Sequence, residues 1–197
     1  TWHNHSWALK SSQVNPFQQT MLIPFYNKLS ELRLVLASCE TQTLQNFELI
    51  IIGDGSNNDP QNQLLSYAKK HENKVIYLRH KNCGQSKSIN RGVLNSIGEY
   101  VTIIDADDEY TPNHLWRCLQ EMSSTDLIAS TTQTIVDKEE DYYVPDKHDN
   151  SQLIHVDECI LFATLFGKSE VFTDLQFQDR YAADAHFYEY DEQKYTV

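Results

Sequence analysis

Residues 98–112 read GEYVTIIDADDEYTP. An apolar, β-branched run from Tyr100 to Ile104 stops at Asp105, and Asp107, Asp108 and Glu109 follow. A short apolar run closed by turn residues has the pattern of a buried strand. Four acidic side chains in five positions repel one another, and the neighbouring apolar residues add a desolvation cost. Thr111-Pro112 then opens a helix carrying Leu115, Leu119 and Met122. Along an extended chain Asp105 and Asp107 point to the same side. An oxygen-only pair of this kind suits a hard ion, Mg²⁺ or Mn²⁺, that bridges to substrate phosphates. It equally suits a solvated acidic turn that caps the helix beginning near Pro112.

The strand-then-polar-turn pattern recurs on both sides of this stretch. TMLIPFYN (20–27) is a short strand ending at Pro24, and Leu29, Leu32, Leu36 and Cys39 follow at helical spacing to about Thr41. FELIIIGDGS (47–56) is a continuous apolar run stopped by a turn. Asp59-Pro60 starts a helix whose buried face carries Leu64, Leu65 and Ala68. KVIYLRH (74–80) is the next strand. Ile89, Val93 and Ile97 then mark a helix that Gly98 is expected to close as a C-cap. DLIASTTQTIV (126–136) reads as a fifth strand. Alternating strands and helices over residues 20–136 predict an α/β fold: a Rossmann-like, mostly parallel sheet flanked by helices. Ligands of such sheets sit at the carboxyl ends of strands, where GDGS and DADD both fall.

Composition bounds the rest. The 197 residues suffice for one sizeable domain. A net charge of −12 argues against general affinity for nucleic acid or anionic lipid. No apolar run approaches the ~20 residues of a membrane span. Cys39, Cys83, Cys118 and Cys159 are far apart in sequence, so no zinc site is expected and a reduced, cytosolic setting is the plain reading. Residues 1–19 form an N-terminal extension with no assigned structure. In it His3 and His5 could share a strand face and catch a metal, although a packed or flexible lead-in is the simpler account. The absence of an initiating Met suggests a trimmed chain or one cut from a longer protein. DKEEDYYVPDKHDN (137–150) reads as a charged loop that divides the chain.

Two further motifs carry polar chemistry. In GDGSNNDP, Gly53 and Gly55 flank Asp54 and permit close approach of a ligand. An aspartate there can accept from a base N–H or from ribose hydroxyls, and the same residues also make an ordinary strand-to-helix turn. In NCGQSKSINRG (82–92), a helix N-terminus favours anions, and Lys87 and Arg91 lie on one helix face near Arg79 and Lys81. These cations could balance phosphate or simply form a solvated face.

Taken in order, PFYN, GDGS, N-x-G before a helix, and GEYVTIIDADDEYTP closely resemble glycosyltransferase family 2 over about residues 20–120. The resemblance implies a GT-A fold and an inverting, metal-dependent transfer from a nucleotide-diphosphate sugar, most commonly a UDP-sugar, to a saccharide or lipid-linked acceptor in polysaccharide or glycan synthesis. Pro24, Phe25, Tyr26 and Asn27 match the edge that borders the nucleotide base. Asp54 matches the base-contacting aspartate of D-D-G-S. Asp105, Ala106 and Asp107 match D-x-D, with Asp107 the direct ligand of Mn²⁺ or Mg²⁺ and Asp105 beside the ribose or the metal's waters. Lys87 and Asn90 fall in the matching helix motif. Asp184, in RYAADAHFYEY, matches the catalytic base.

Residues 20–136 would then bind the nucleotide-sugar, and residues 137–197 would form the acceptor side, with room for more protein beyond Val197. A cytosolic location is implied, with peripheral contact at the inner face of a membrane left open. Three departures stand out: Gly53 for the first aspartate of D-D-G-S, Ile89 where an arginine is common, and Ala183 for a glutamate. They leave a non-catalytic or divergent sugar-nucleotide-binding module as the alternative. A sugar-nucleotide pyrophosphorylase would want a Gly-rich loop after the first strand, which IPFYNKLS lacks.

Overall fold

In a computed structural model, residues 6–9, 17–71, 75–191 and 194–197 are described. His3 and His5 lie outside them. In chain order the elements are β1 (Ser6–Leu9), β2 (Gln19–Phe25), α1 (Leu32–Glu40), β3 (Phe47–Asp54), α2 (Gln61–Lys70), β4 (Val75–His80), α3 (Gln85–Val93), β5 (Tyr100–Ile103), α4 (His114–Glu121), β6 (Leu127–Ala129), β7 (Tyr143–Pro145), β8 (Leu153–His155), β9 (Leu165–Lys168), α5 (Ser169–Leu175) and α6 (Ala183–Asp191). One sheet has the order β1-β4-β3-β2-β5-β9-β6, and β7 pairs with β8 in a separate hairpin. Strands β4, β3, β2 and β5 are parallel, whereas β1 and β9 run against their neighbours.

The continuous apolar runs are explained by two covered faces. Every residue of β2 and β3 is buried. Met21, Ile23, Leu49 and Ile51 pack with Leu32, Val35, Leu64 and Leu115 of α1, α2 and α4. Their alternates Leu22, Ile50 and Ile52 pack with Ile89 and Val93 of α3 and with Phe172 and Phe187 of α5 and α6. Period-two alternation thus feeds two cores, one on each side of the sheet. Among the described residues no helix is long and apolar enough to cross a membrane.

Four local expectations are corrected. The extension contributes β1, which pairs Ser6 with Leu78 and Leu9 with Val75 at the sheet edge. The fifth strand is only Leu127–Ala129, because its partner β9 begins at Leu165. Ser130 N–H still reaches the Thr164 carbonyl (2.8 Å), but residues 162–164 form a 3₁₀ turn and present no further strand edge. The loop at 137–150 contains a 3₁₀ turn (Glu139–Tyr142) and the strand β7.

Gly98 does not cap α3, which ends at Val93 in two tighter bonds, Asn95 to Gly92 (2.9 Å) and Ser96 to Val93 (3.0 Å). Gly98 is glycine because its backbone lies against β2. A Cβ there would sit 2.6 Å from Gln19 C and Thr20 N. The contact is anchored by buried Glu48, whose Oε1 accepts from Thr20 Oγ1 (2.7 Å) and Ile97 N–H (2.6 Å). Thr20 Oγ1 in turn accepts from Gly98 N–H (3.1 Å). Gly98→Ala is therefore expected to destabilise the chain by about 1–3 kcal/mol, the usual cost of overpacking. Urea denaturation checks this, and an unchanged midpoint would contradict the close approach.

Candidate functional site

The parallel strands bring three polar turns to one edge of the sheet. Phe25, the last residue of β2, pairs with Gly53 of β3, and Asp54 pairs with His80 at the end of β4. The PFYN and GDGS turns are tied directly together. Asn27 adopts φ 55°, its N–H donates to Ser56 Oγ (3.1 Å), and its Oδ1 accepts from Asn57 N–H (2.9 Å). Ser56 Oγ donates to the Phe25 carbonyl (3.1 Å). Pro24 and Phe25 are buried, so Tyr26 (52% exposed) and Asn27 are the residues of this motif that face outward.

Asp54 is almost fully buried. Its Oδ1 accepts from Cys83 N–H (2.7 Å) and its Oδ2 from Gly84 N–H (3.0 Å). The carboxylate thus pins the turn that leads into α3. Gly55 (φ 75°) permits this approach, since a Cβ there would meet Asn82 N at 2.5 Å. Gly53 has a local reason too: a Cβ would come within 2.7 Å of Tyr77 Oη, so a larger residue there would have to displace the Tyr77 ring. Ile89 is fully buried in the core beneath α3, which accounts for an apolar residue there.

Along α3, Lys87 Nζ donates to Asp179 Oδ2 (2.6 Å) on the surface. The Asn90 carboxamide makes a reciprocal pair with the Phe177 backbone, donating to its carbonyl and accepting from its N–H, both at 2.8 Å. Both residues therefore join the sheet half of the chain to the segment before α6.

The acidic turn follows β5. Asp108 N–H bonds to the Asp105 carbonyl (3.0 Å), and Ala106 is buried beneath the turn. Below it the Tyr110 hydroxyl donates to the Ile103 carbonyl (2.6 Å) and bonds with Thr102 Oγ1 (2.8 Å). Gln85 Nε2 donates to Asp105 Oδ1 (2.5 Å), and exposed Lys28 is paired with Asp107. Burial, then the charges of Asp108 and Asp107, push the Asp105 carboxyl up to about 7, and Lys28 only partly offsets them. The charge of Asp184 acts on Asp105 in the same direction. Asp108 is raised as well, by burial and by Asp107. An oxygen-only set with more negative charge than its protein partners balance fits a hard divalent ion.

Asp184 lies in the first turn of α6. It lines a cavity of about 650 Å³ with Gln85, Lys147, Phe162 and Tyr181. Burial raises its carboxyl, while the backbone N–H of Ala185 (2.9 Å) and the Lys147 charge oppose the rise. Gln85 touches both centres, since it bonds Asp105 and lines the Asp184 cavity. Ala183 is buried at the same wall. Lys147, Gln85 and Lys28 were not singled out from sequence. Lys28 directly follows PFYN, a positional signal, whereas Lys147 reaches the cavity through the β7–β8 hairpin, which local patterning did not reveal.

With a folded-state value near 7 against 3.8 for an ordinary aspartate, Asp105 favours the folded state at low pH. That contribution is lost as pH rises through about 7. Without divalent ions, Asp105→Asn should melt above the parent at pH 8, and the gap should close near pH 4. A gap independent of pH in thermal melts would refute the crowding.

Comparison with known proteins agrees with this architecture. The family described as Glycosyl transferase family 2 matches residues 20–181. An uncharacterized glycosyltransferase of Rickettsia prowazekii is 28% identical over 173 residues, covering 79% of this chain and 53% of that protein. A mannosyltransferase from Pyrobaculum calidifontis, solved with GDP-Man and Mn²⁺, superposes with TM-score 0.67 at 16% identity, covering 86% of this chain and 50% of that one. S. aureus TarS 1–349, solved with UDP-GlcNAc, superposes with TM-score 0.63 at 19% identity, covering 86% and 52%. The chain thus spans about half the length of each of these proteins. With the family match running from the first central strand to the threshold of α6, and a GT-A fold beneath it, the chain belongs to glycosyltransferase family 2.

Proposed function

We propose that this chain moves a sugar from a nucleotide-diphosphate sugar, with a UDP-sugar as the expected donor, to a hydroxyl of a saccharide or lipid-linked acceptor, inverting the anomeric configuration. The observation that carries the reading is the convergence of the acidic turn and Asp184. Their charges act on one another, and Gln85 spans the two. The nucleotide-sugars in the two solved relatives support a donor of that class.

Each residue would then have a defined task. The outward Tyr26 ring and Asn27 amide offer a stacking face and a polar edge for the base. Asp54 holds the 82–84 turn in place through its two backbone bonds and so shapes the same edge. Asp107 and Asp105 would hold Mn²⁺ or Mg²⁺, which when bound supplies Lewis-acid stabilisation of the departing diphosphate. Lys28 and Gln85 occupy these carboxylates otherwise and must shift their contacts.

Asp184 accepts the proton of the acceptor hydroxyl inside the cavity. The acceptor oxygen bonds to the anomeric carbon as the bond to the diphosphate oxygen breaks on the opposite face. A single displacement inverts the centre and needs no covalent intermediate. Burial raises the proton affinity of Asp184, which suits this task, while backbone hydrogen bonds and the Lys147 charge oppose the rise. The cavity wall combines Val144, Ile154, Ile160 and Phe162 with Lys147 and Asp184, which suits an acceptor with both apolar and hydroxyl-bearing parts.

The role of Asp184 separates binding from chemistry. Asp184→Asn should bind donor nucleotide with Mn²⁺ as the parent does, by calorimetry. Release of nucleoside diphosphate in the presence of acceptor should fall by about 10²–10⁴-fold, the range of general-base contributions. Full transfer by the variant would show that another group takes the proton.

A further inference from the structure

The sequence spacing of the cysteines argued against a zinc site, yet the fold assembles one candidate from two segments, the end of β3 (Asp54) and residues 80–83 at the end of β4. Among the described residues, Asp54, His80 and Cys83 have ligand atoms that all lie within 4.8 Å of one another. We propose that these three side chains bind a thiophilic divalent ion, Zn²⁺ by its chemistry, at a site separate from the Asp105–Asp107 pair.

The distances fit. His80 Nδ1 lies 3.4 Å from Cys83 Sγ and 3.4 Å from Asp54 Oδ1. Tetrahedral zinc with bonds of about 2.3 Å to sulfur and 2.0–2.2 Å to nitrogen and oxygen sets neighbouring ligand atoms about 3.4–3.6 Å apart. The backbone that carries the ligands is also held in advance of any ion. Asp54 and His80 are direct partners in the β3–β4 ladder. The turn that carries Cys83 is fastened to Asp54 by the Cys83 and Gly84 N–H groups and by Asn82 Nδ2, which donates to the Asp54 carbonyl (3.2 Å).

The surroundings complete the coordination chemistry. His80 Nε2 stands 3.3 Å from Ser88 Oγ, so a proton on Nε2 has an acceptor and Nδ1 is free to ligate, the usual outer-shell arrangement. Without an ion, Nδ1 can instead donate to the Lys81 carbonyl (2.8 Å). Loading the site exchanges that tautomer for the other and releases the thiol proton of Cys83 to solvent. A thiolate and a carboxylate neutralise the ion's two charges. The Asp54 and His80 side chains are buried whereas Cys83 is exposed, leaving the fourth position open to water. Sulfur and imidazole donors select zinc over Mg²⁺ and Mn²⁺, which the oxygen-only pair at Asp105 and Asp107 prefers. An ion here would tie the ends of β3 and β4 to the turn before α3.

The test uses the reduced chain, without donor or acceptor, and so stands apart from the transferase reading. Zn²⁺ is titrated in competition with a chromophoric chelator, and Co²⁺ is used as a spectroscopic substitute. The parent should hold one Zn²⁺ that excess Mn²⁺ does not displace, and its Co²⁺ form should show a thiolate-to-metal charge-transfer band. Cys83→Ser should lose the band and weaken Zn²⁺ binding by more than about 100-fold, since even outer-shell changes cost about 10–100-fold. Asp107→Asn should keep both signals. Equal Zn²⁺ affinity in the parent and Cys83→Ser, or a Co²⁺ spectrum of the parent without the thiolate band, would overturn the site. The band is read on the parent itself, so that result does not depend on the variant folding.

Discussion

Carboxylates crowd together at the end of one short strand, and the site is organised around that repulsion. Asp105, Asp107 and Asp108 follow β5 within five residues, and Asp184 acts on Asp105 from α6. A chain of net charge −12 has little positive charge to spare for them. What it does supply is local: Lys28 on Asp107, the Gln85 amide on Asp105, and Lys147 near Asp184. Burial, together with the remaining imbalance, pushes the Asp105 carboxyl up to about 7. A divalent ion and a diphosphate would complete the balance, so these carboxylates have the electrostatics of a binding site.

The framework can carry this strain because it is fastened elsewhere. Asp54 is spent on the backbone of the α3 turn, Asn90 on the backbone of Phe177, and Asn27 and Ser56 on each other's turns. Glu48 secures the opposite end of the sheet by holding residues 97–98 against β2. Polar residues within the motifs thus divide into those that face outward, such as Tyr26 and Asp107, and those that hold the outward ones in position.

Much of this was legible in sequence because the signal was local. Buried parallel strands read as continuous apolar runs, and FELIIIGD and TMLIPF are buried at every position. The acidic turn could be placed at a strand's carboxyl end for the same reason. Features that depend on distant partners were not legible. β9 inserts antiparallel between β5 and β6, and its four residues limit β6 to three, which no pattern in 126–136 reveals. Gly98 looked like a helix cap but serves a strand far away in sequence. In the Asp54–His80–Cys83 group, His80 and Cys83 are three residues apart, but only strand register brings Asp54 to them, so the trio was not legible. Asn90 matched a ligand-binding motif, yet the partners it has in the fold are backbone atoms of residue 177.

A cation together with a nucleotide diphosphate would complete the acidic turn. Thermal melting of the parent and Asp107→Ala, with Mn²⁺ and UDP added singly and together, tests it most directly. At ligand concentrations about 100-fold above Kd, binding adds about 2.7 kcal/mol, or roughly 5–10 °C for a chain of this size. A shift of that order is expected in the parent only when both are present, and none in Asp107→Ala. Equal shifts in the two proteins, or no shift with UDP or any other nucleoside diphosphate, would contradict it.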